Sequence, residues 1–99
     1  MTIERITENG SVILVLIGEL TVLTVGQLST EVKTAITETD SLVLDFKDVE
    51  YVASAGLRLL LEAKNLLDKK MGKLILRNVS QTVMQVFDIT GFSDILNFE

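Results

Sequence analysis

The chain predicts an α/β fold: a mixed β-sheet with helices packed mostly on one face. Three observations carry this. Short β-branched or leucine-rich runs at Val12–Ile17, Leu42–Phe46 and Lys73–Arg77 read as buried strands. Two segments with apolar residues at spacings of three and four lie between them. An Asn9-Gly10 pair precedes the first run and suits a tight hairpin, because both residues tolerate positive φ. Strands alternating with helices imply crossover connections, right-handed by rule, and mostly parallel pairing after the hairpin.

Taken in order, Thr2–Thr7 alternates loosely around Ile3 and Ile6 and is the first hairpin strand. Val12–Ile17 is continuously apolar, as expected of a central strand covered on both faces. Gly18-Glu19-Leu20 leaves that strand, and Thr21 or Thr24 is placed to cap a helix reaching about Glu38. Val25, Leu28, Val32 and Ile36 form its buried stripe. Thr39-Asp40-Ser41 breaks the pattern before the strand Leu42–Phe46, and Lys47–Glu50 forms a short loop. A second helix is expected over Ala55–Lys70, with Leu57, Leu60, Leu61, Lys64 and Leu67 on one face. Leu59, Ala63 and Leu66 widen that face, and Arg58 pairs with Glu62 on the exposed side. Lys69 and Lys70 suit the dipole at its end, and Gly72 is the expected terminator. After the strand Lys73–Arg77, Ser80 caps a short helix over Gln81–Ile89 that ends at Gly91. Phe92, Ile95, Leu96 and Phe98 supply packing and a short last strand.

With 99 residues, 47% of them hydrophobic, one domain over 1–99 with its own core is expected. There is no cysteine and no histidine, which removes disulfides, thiolate metal sites and the Ser-His-Asp and Cys-His modes of catalysis. No cofactor, no metal and no enzymatic role are expected. A net charge of −5 argues against nucleic acid as a direct partner. The apolar run Val12–Ile17 falls far short of the roughly 20 residues needed to span a bilayer, so no membrane insertion is expected. Met1–Arg5 lacks the apolar core of a signal peptide, and the cytoplasm is the simplest location.

The segment Tyr51-Val52-Ala53-Ser54-Ala55-Gly56-Leu57-Arg58 stands apart. It places a lone serine where a strand's exit loop becomes a helix N-terminus, with free backbone N–H groups and tolerance for negative charge. Two readings of Ser54 stand: a helix N-cap worth about 1 kcal/mol, or a switchable hydroxyl whose phosphate would add about −1.5 to −2 charge. Asp45, Asp48 and Glu50 form an acidic rim in sequence, most simply a solvated loop that satisfies nearby N–H groups. Gly56 permits close approach at the helix start. Met84 and Phe92 read as packing residues.

The whole chain resembles the STAS domain of bacterial anti-sigma factor antagonists, a STAS-like (SpoIIaa-like) single-domain fold. The resemblance rests on Val43-Leu44-Asp45-Phe46 leading through Val49 and Tyr51-Val52 into Ala53-Ser54-Ala55-Gly56-Leu57. Gly18-Glu19-Leu20 and the segment from Phe87 through Thr90-Gly91-Phe92 to Ile95-Leu96 also agree. It implies that Ser54 is phosphorylated by an anti-sigma factor serine kinase, that the unphosphorylated form binds this kinase and releases a sigma factor, and that a PPM-type phosphatase reverses the switch. The partner-binding residues it implies are Gly18, Thr21, Thr24, Tyr51, Ala53, Ser54, Ala55, Gly56, Leu57 and Arg58. Two positions depart from the family pattern, which often has an acid where Ala53 and Thr21 stand. The same fold also serves as a scaffold or interaction module without phosphorylation.

Overall fold

The computed structural model describes residues 1–99. Its elements are β1 (Thr2–Glu8), β2 (Ser11–Ile17), α1 (Val25–Glu38), β3 (Ser41–Asp48), α2 (Ser54–Asp68), β4 (Lys73–Arg77), α3 (Gln81–Thr90), a short 3-10 turn (Phe92–Asp94) and β5 (Asn97–Phe98). The five strands form one mixed sheet in chain order. Only the β1–β2 hairpin is antiparallel; β2–β3, β3–β4 and β4–β5 are parallel. The hairpin turns at Asn9 and Gly10 with φ of 52° and 83°, the positive values a tight two-residue turn needs.

One face of the sheet carries the core. Val12, Leu14 and Leu16 of β2, Leu42, Leu44 and Phe46 of β3, and Leu74 and Leu76 of β4 belong to a single buried cluster. Leu28, Val32, Ala35 and Ile36 of α1, Leu59, Leu60, Ala63 and Leu67 of α2, and Val83 and Phe87 of α3 complete it. Phe87 meets Phe46 edge-on, with ring centroids 6.3 Å apart, and packs against Phe98 at 5.7 Å. Met84 and Phe92 pack against the same cluster as expected. The α/β class and the one-sided placement of helices therefore hold.

Several local expectations change. β2 is not covered by helices on both faces: Ile13 and Val43 are buried but stand outside the core cluster, on the opposite side. Continuous hydrophobicity reports burial, and neighbouring strands supplied it here. The buried face of α2 is centred on Gly56, Leu59, Leu60, Ala63 and Leu67, with Leu57, Leu61 and Lys64 at its margin. So many leucines surround this helix that periodicity alone does not orient it. Glu62 pairs with Lys33 of α1 at 3.4 Å rather than with Arg58, and Lys64 pairs with Asp68 at 2.5 Å. α2 ends at Asp68, and Lys70 serves α1 instead: its Nζ donates to the carbonyl of Ile36 at 2.5 Å and lies 3.2 Å from Asp40 Oδ1. Gly72 is required by proximity, since a Cβ there would stand 2.4 Å from the Asp40 carbonyl oxygen. The left-handed residue after the helix is Met71, with φ of 58°. α3 follows expectation: Ser80 Oγ accepts from the Val83 N–H at 3.2 Å, and Gly91 ends the helix with φ of 82°. No helix is long and apolar enough to cross a membrane.

Candidate functional site

The site forms where two loops leave the carboxyl ends of β2 and β3. Parallel pairing brings these ends together, and short hydrogen bonds then tie the loops. Gly18 N–H donates to the Asp48 carbonyl at 3.2 Å, Leu20 N–H to Tyr51 at 3.0 Å, and Ala53 N–H to Leu20 at 2.9 Å. Leu20 and Val52 make an isolated parallel bridge, and both side chains are buried. The segment Gly18–Thr24 is thereby fixed beside Tyr51–Ser54, far away in sequence.

Gly56 locks this arrangement. A Cβ at that position would lie 2.7 Å from Leu20 Cγ, 2.8 Å from its Cδ2 and 3.0 Å from Val52 Cγ1. The first turn of α2 settles onto Leu20 because no side chain intervenes. Gly56 is buried, so its role is to let the helix approach the loop below it, and it presents no surface to a partner. Gly18 is also conformational: its φ is +124°, and a Cβ there would lie 3.3 Å from Met1 Cα.

The N-cap of α2 is Ala53, not Ser54. Ala53 has extended backbone angles and no capping side chain, whereas Ser54 is the first helical residue. The capping account of Ser54 therefore fails on position. Its side chain is exposed and makes no hydrogen bond to the helix end. The Ala53 carbonyl accepts from Gly56 at 2.9 Å and Leu57 at 3.1 Å, and the N–H groups of Ser54 and Ala55 have no backbone acceptor. No acidic residue lies in the first turn. The helix end is left with uncompensated donors and partial positive charge next to a free hydroxyl.

Thr21 and Thr24 build the neighbouring turn. Thr24 occupies the N-cap position of α1 but makes no capping bond. Its Oγ1 donates to the Glu19 carbonyl at 2.7 Å and accepts from the Thr21 N–H at 2.9 Å, while Thr21 Oγ1 accepts from the Leu23 N–H at 3.1 Å. This network holds Val22 and Leu23 outward, 74% and 90% exposed. Neither residue falls on the buried stripe expected for α1. Their signal was available: two apolar side chains just before the buried stripe of α1, matching neither strand nor helix period. Tyr51 is 53% exposed on the adjoining loop. Between α1 and α2, Val22, Val25, Ala55, Arg58, Leu59 and Glu62 help line a shallow cleft of about 340 Å³. Leu57 is half-buried against the core.

On the other flank, Glu19, Asp48 and Glu50 gather with Gly18 and Lys47 around a second cleft of about 250 Å³. Asp45 is not part of this rim. It lies within β3, where its Oδ1 accepts from the Lys47 N–H at 3.0 Å and Asn78 Nδ2 at 3.2 Å. The surface around Ser54 thus combines an acidic flank, an apolar projection and one exposed arginine.

The anti-sigma-B factor antagonist of Bacillus subtilis is 39% identical over 51 residues, which cover 52% of this chain and 47% of that protein. The chain spans about half the length of the curated relatives it matches. The Bacillus cell-fate determinant SpoIIAA in its phosphorylated form aligns with a TM-score of 0.76 at 25% identity, over 99% of this chain and 91% of the other. An anti-sigma factor antagonist from Mycobacterium paratuberculosis aligns with a TM-score of 0.88 at 20% identity, over 98% and 83% of the two chains, a likeness of fold. The family model for the STAS domain matches residues 2–99. An exposed serine opening the helix of a five-stranded mixed sheet thus lies in a family frame that extends over nearly the whole sequence: the chain belongs to the STAS domain family.

Proposed function

We propose that this chain is an anti-sigma factor antagonist switched by phosphorylation of Ser54. The carrying observation is that Ser54 is exposed at the first position of α2, with its hydroxyl unused and unpaired backbone donors beside it. A hydroxyl already committed to capping would have to be freed before a kinase could use it; this one is free. The relative named an anti-sigma-B factor antagonist and the phosphorylated form of SpoIIAA support the same reading.

The unphosphorylated surface binds an anti-sigma factor serine kinase, and the sigma factor held by that kinase is released. Val22, Leu23 and Tyr51 supply apolar contact. Glu19, Asp48 and Glu50 favour a partner with basic residues on that flank. Phosphorylation adds about −1.5 to −2 charge at Ser54. The helix N-terminus tolerates that charge within the free chain, so the fold survives. In the complex the same charge is desolvated against a surface shaped for a neutral hydroxyl, and binding is lost. A PPM-type phosphatase restores the neutral form. The kinase supplies ATP and its metal, and the antagonist contributes only the acceptor hydroxyl and the surface around it.

The test compares wild type, Ser54→Ala and Ser54→Asp as baits in lysate of the source organism, with mass spectrometry of bound proteins and of Ser54. A kinase held by wild type and Ser54→Ala but lost by Ser54→Asp, with phosphate on wild-type Ser54, is the expected result. Equal partners for all three baits and no phosphate would sink the switch and leave an interaction module of fixed affinity.

A further inference from the structure

The sheet face away from the helices is uncovered, although three of its four strand pairings are parallel. Parallel sheets ordinarily have both faces covered. Register places three rows of side chains across this face. The middle row is apolar from β1 to β4: Ile6, Ile13, Val43 and Ile75. Ile6 is 44% exposed, and Ile17 on the same face is 38% exposed. One flanking row runs Glu8, Ser11, Ser41 and Lys73, confirmed by the 2.9 Å hydrogen bond from Ser11 Oγ to Ser41 Oγ. The other runs Glu4, Val15, Asp45 and Arg77. Both flanking rows begin with an acid on β1 and end with a base on β4.

We propose that this face binds a second copy of the chain, face to face, about a two-fold axis parallel to the strands. Such an axis keeps each row on itself and reverses strand order. Glu8 then opposes Lys73 of the other copy, Glu4 opposes Arg77 and Ile6 opposes Ile75, above Ile13 and Val43, which flanking side chains already leave only 5% and 4% exposed. Val15 opposes Asp45, whose Oδ1 is held within its own chain by the Lys47 N–H and Asn78 Nδ2. Each contact occurs twice, as an isologous interface requires. An axis across the strands would instead set β1 over β1 and glutamate over glutamate, which costs affinity. Lys73 has no ion-pair partner within its own chain, whereas Arg77 already holds Glu99 at 2.8 Å; its planar fork can take a second carboxylate. Four strands of this length offer about 400–450 Å² from each copy. That is below the roughly 800 Å² per partner of a standard interface, so the dimer is weak. The Ser54 surface is built on the helix side and its adjoining loops, and pairing leaves it free in both copies.

Sedimentation equilibrium of the full chain over a concentration series tests this, with circular dichroism to confirm folding. Wild type should dimerise, more weakly as salt is raised. Glu8→Lys and Lys73→Glu should each weaken the dimer about tenfold, since each reversal disturbs two symmetry-related pairs. The double variant E8K/K73E, with unchanged net charge, should recover near wild-type association. The two positions lie on strands about 14 Å apart within one chain, so recovery reports pairing between copies. Ile6→Asp should be folded and monomeric. A wild type that stays monomeric up to about 1 mM at low salt, the range of a very weak complex, would overturn the assignment of a second copy. So would folded single variants whose loss the double variant fails to repair.

Discussion

Replacing Gly56 with alanine isolates the contact that assembles the site. In an unconstrained helix this change stabilises by about 0.5–1 kcal/mol, because alanine loses less backbone entropy. At Gly56 the new Cβ would stand 2.7 Å from Leu20 Cγ and 3.0 Å from Val52 Cγ1. Leu20 is wholly buried and has no solvent into which to turn. Cγ is also a branch point, so a change of the leucine's terminal rotamer does not clear it. Overpacking of this kind costs about 1–3 kcal/mol. Set against the helix gain, the net loss centres near ~1 kcal/mol and reaches at most about 2.5 kcal/mol, or several degrees in Tm for a domain of this size. Gly26, near the start of α1, is the internal control, because a Cβ there meets nothing within 4 Å. Gly26→Ala should stabilise by up to about 1 kcal/mol. Urea unfolding of wild type and both variants, read as a change of midpoint at constant m, gives the comparison directly. Two alanine substitutions near helix starts should therefore move stability in opposite directions. A Gly56→Ala chain as stable as wild type would refute the claim that close helix approach requires this glycine.

Three further outcomes are expected. Thr39→Val should cost about 1–3 kcal/mol in urea unfolding, because the buried Thr39 Oγ1 donates to the Gly10 carbonyl at 2.6 Å and accepts from the Ser41 N–H at 3.1 Å, and valine replaces neither bond. Ala53→Asp should raise stability by about 1 kcal/mol by supplying the side-chain cap that α2 lacks; calorimetry showing no rise in Tm would mean that the uncapped donors cost nothing. Leu23→Asp, at a residue 90% exposed, should leave Tm within about 1–2 °C of wild type yet weaken kinase binding at least tenfold in a titration.

Much of the fold was legible in the chain. Asn9-Gly10 marked the hairpin, Lys73–Arg77 was found with its observed bounds, and Ser80 and Gly91 bracket α3 as their chemistry requires. These features are local: a turn needs its own φ angles, and a cap needs only the next few residues. The serine segment was also visible, as a short motif between strand and helix. Its functional reading depended on resemblance, because composition and spacing alone favoured a plain helix cap.

The remainder depended on which distant segments meet. Ser54 and Ala53 differ by one position, and sequence cannot fix a helix's first residue that finely; the Ala53 backbone takes the cap and leaves the serine free. Six leucines spread over α2 concealed its buried face until α1 and the sheet selected one. Lys70 was positioned for its own helix, but the nearest free carbonyl belonged to Ile36 of another. Parallel pairing set Gly18–Thr24 beside Ser54, and the antiparallel register of β1 with the parallel register of β3 and β4 aligned Glu8 with Lys73 along one row. Periodicity determines what a segment can bury and local chemistry determines where it ends. Strand order and register, products of the whole sheet, decide which buried faces, charges and loops become neighbours.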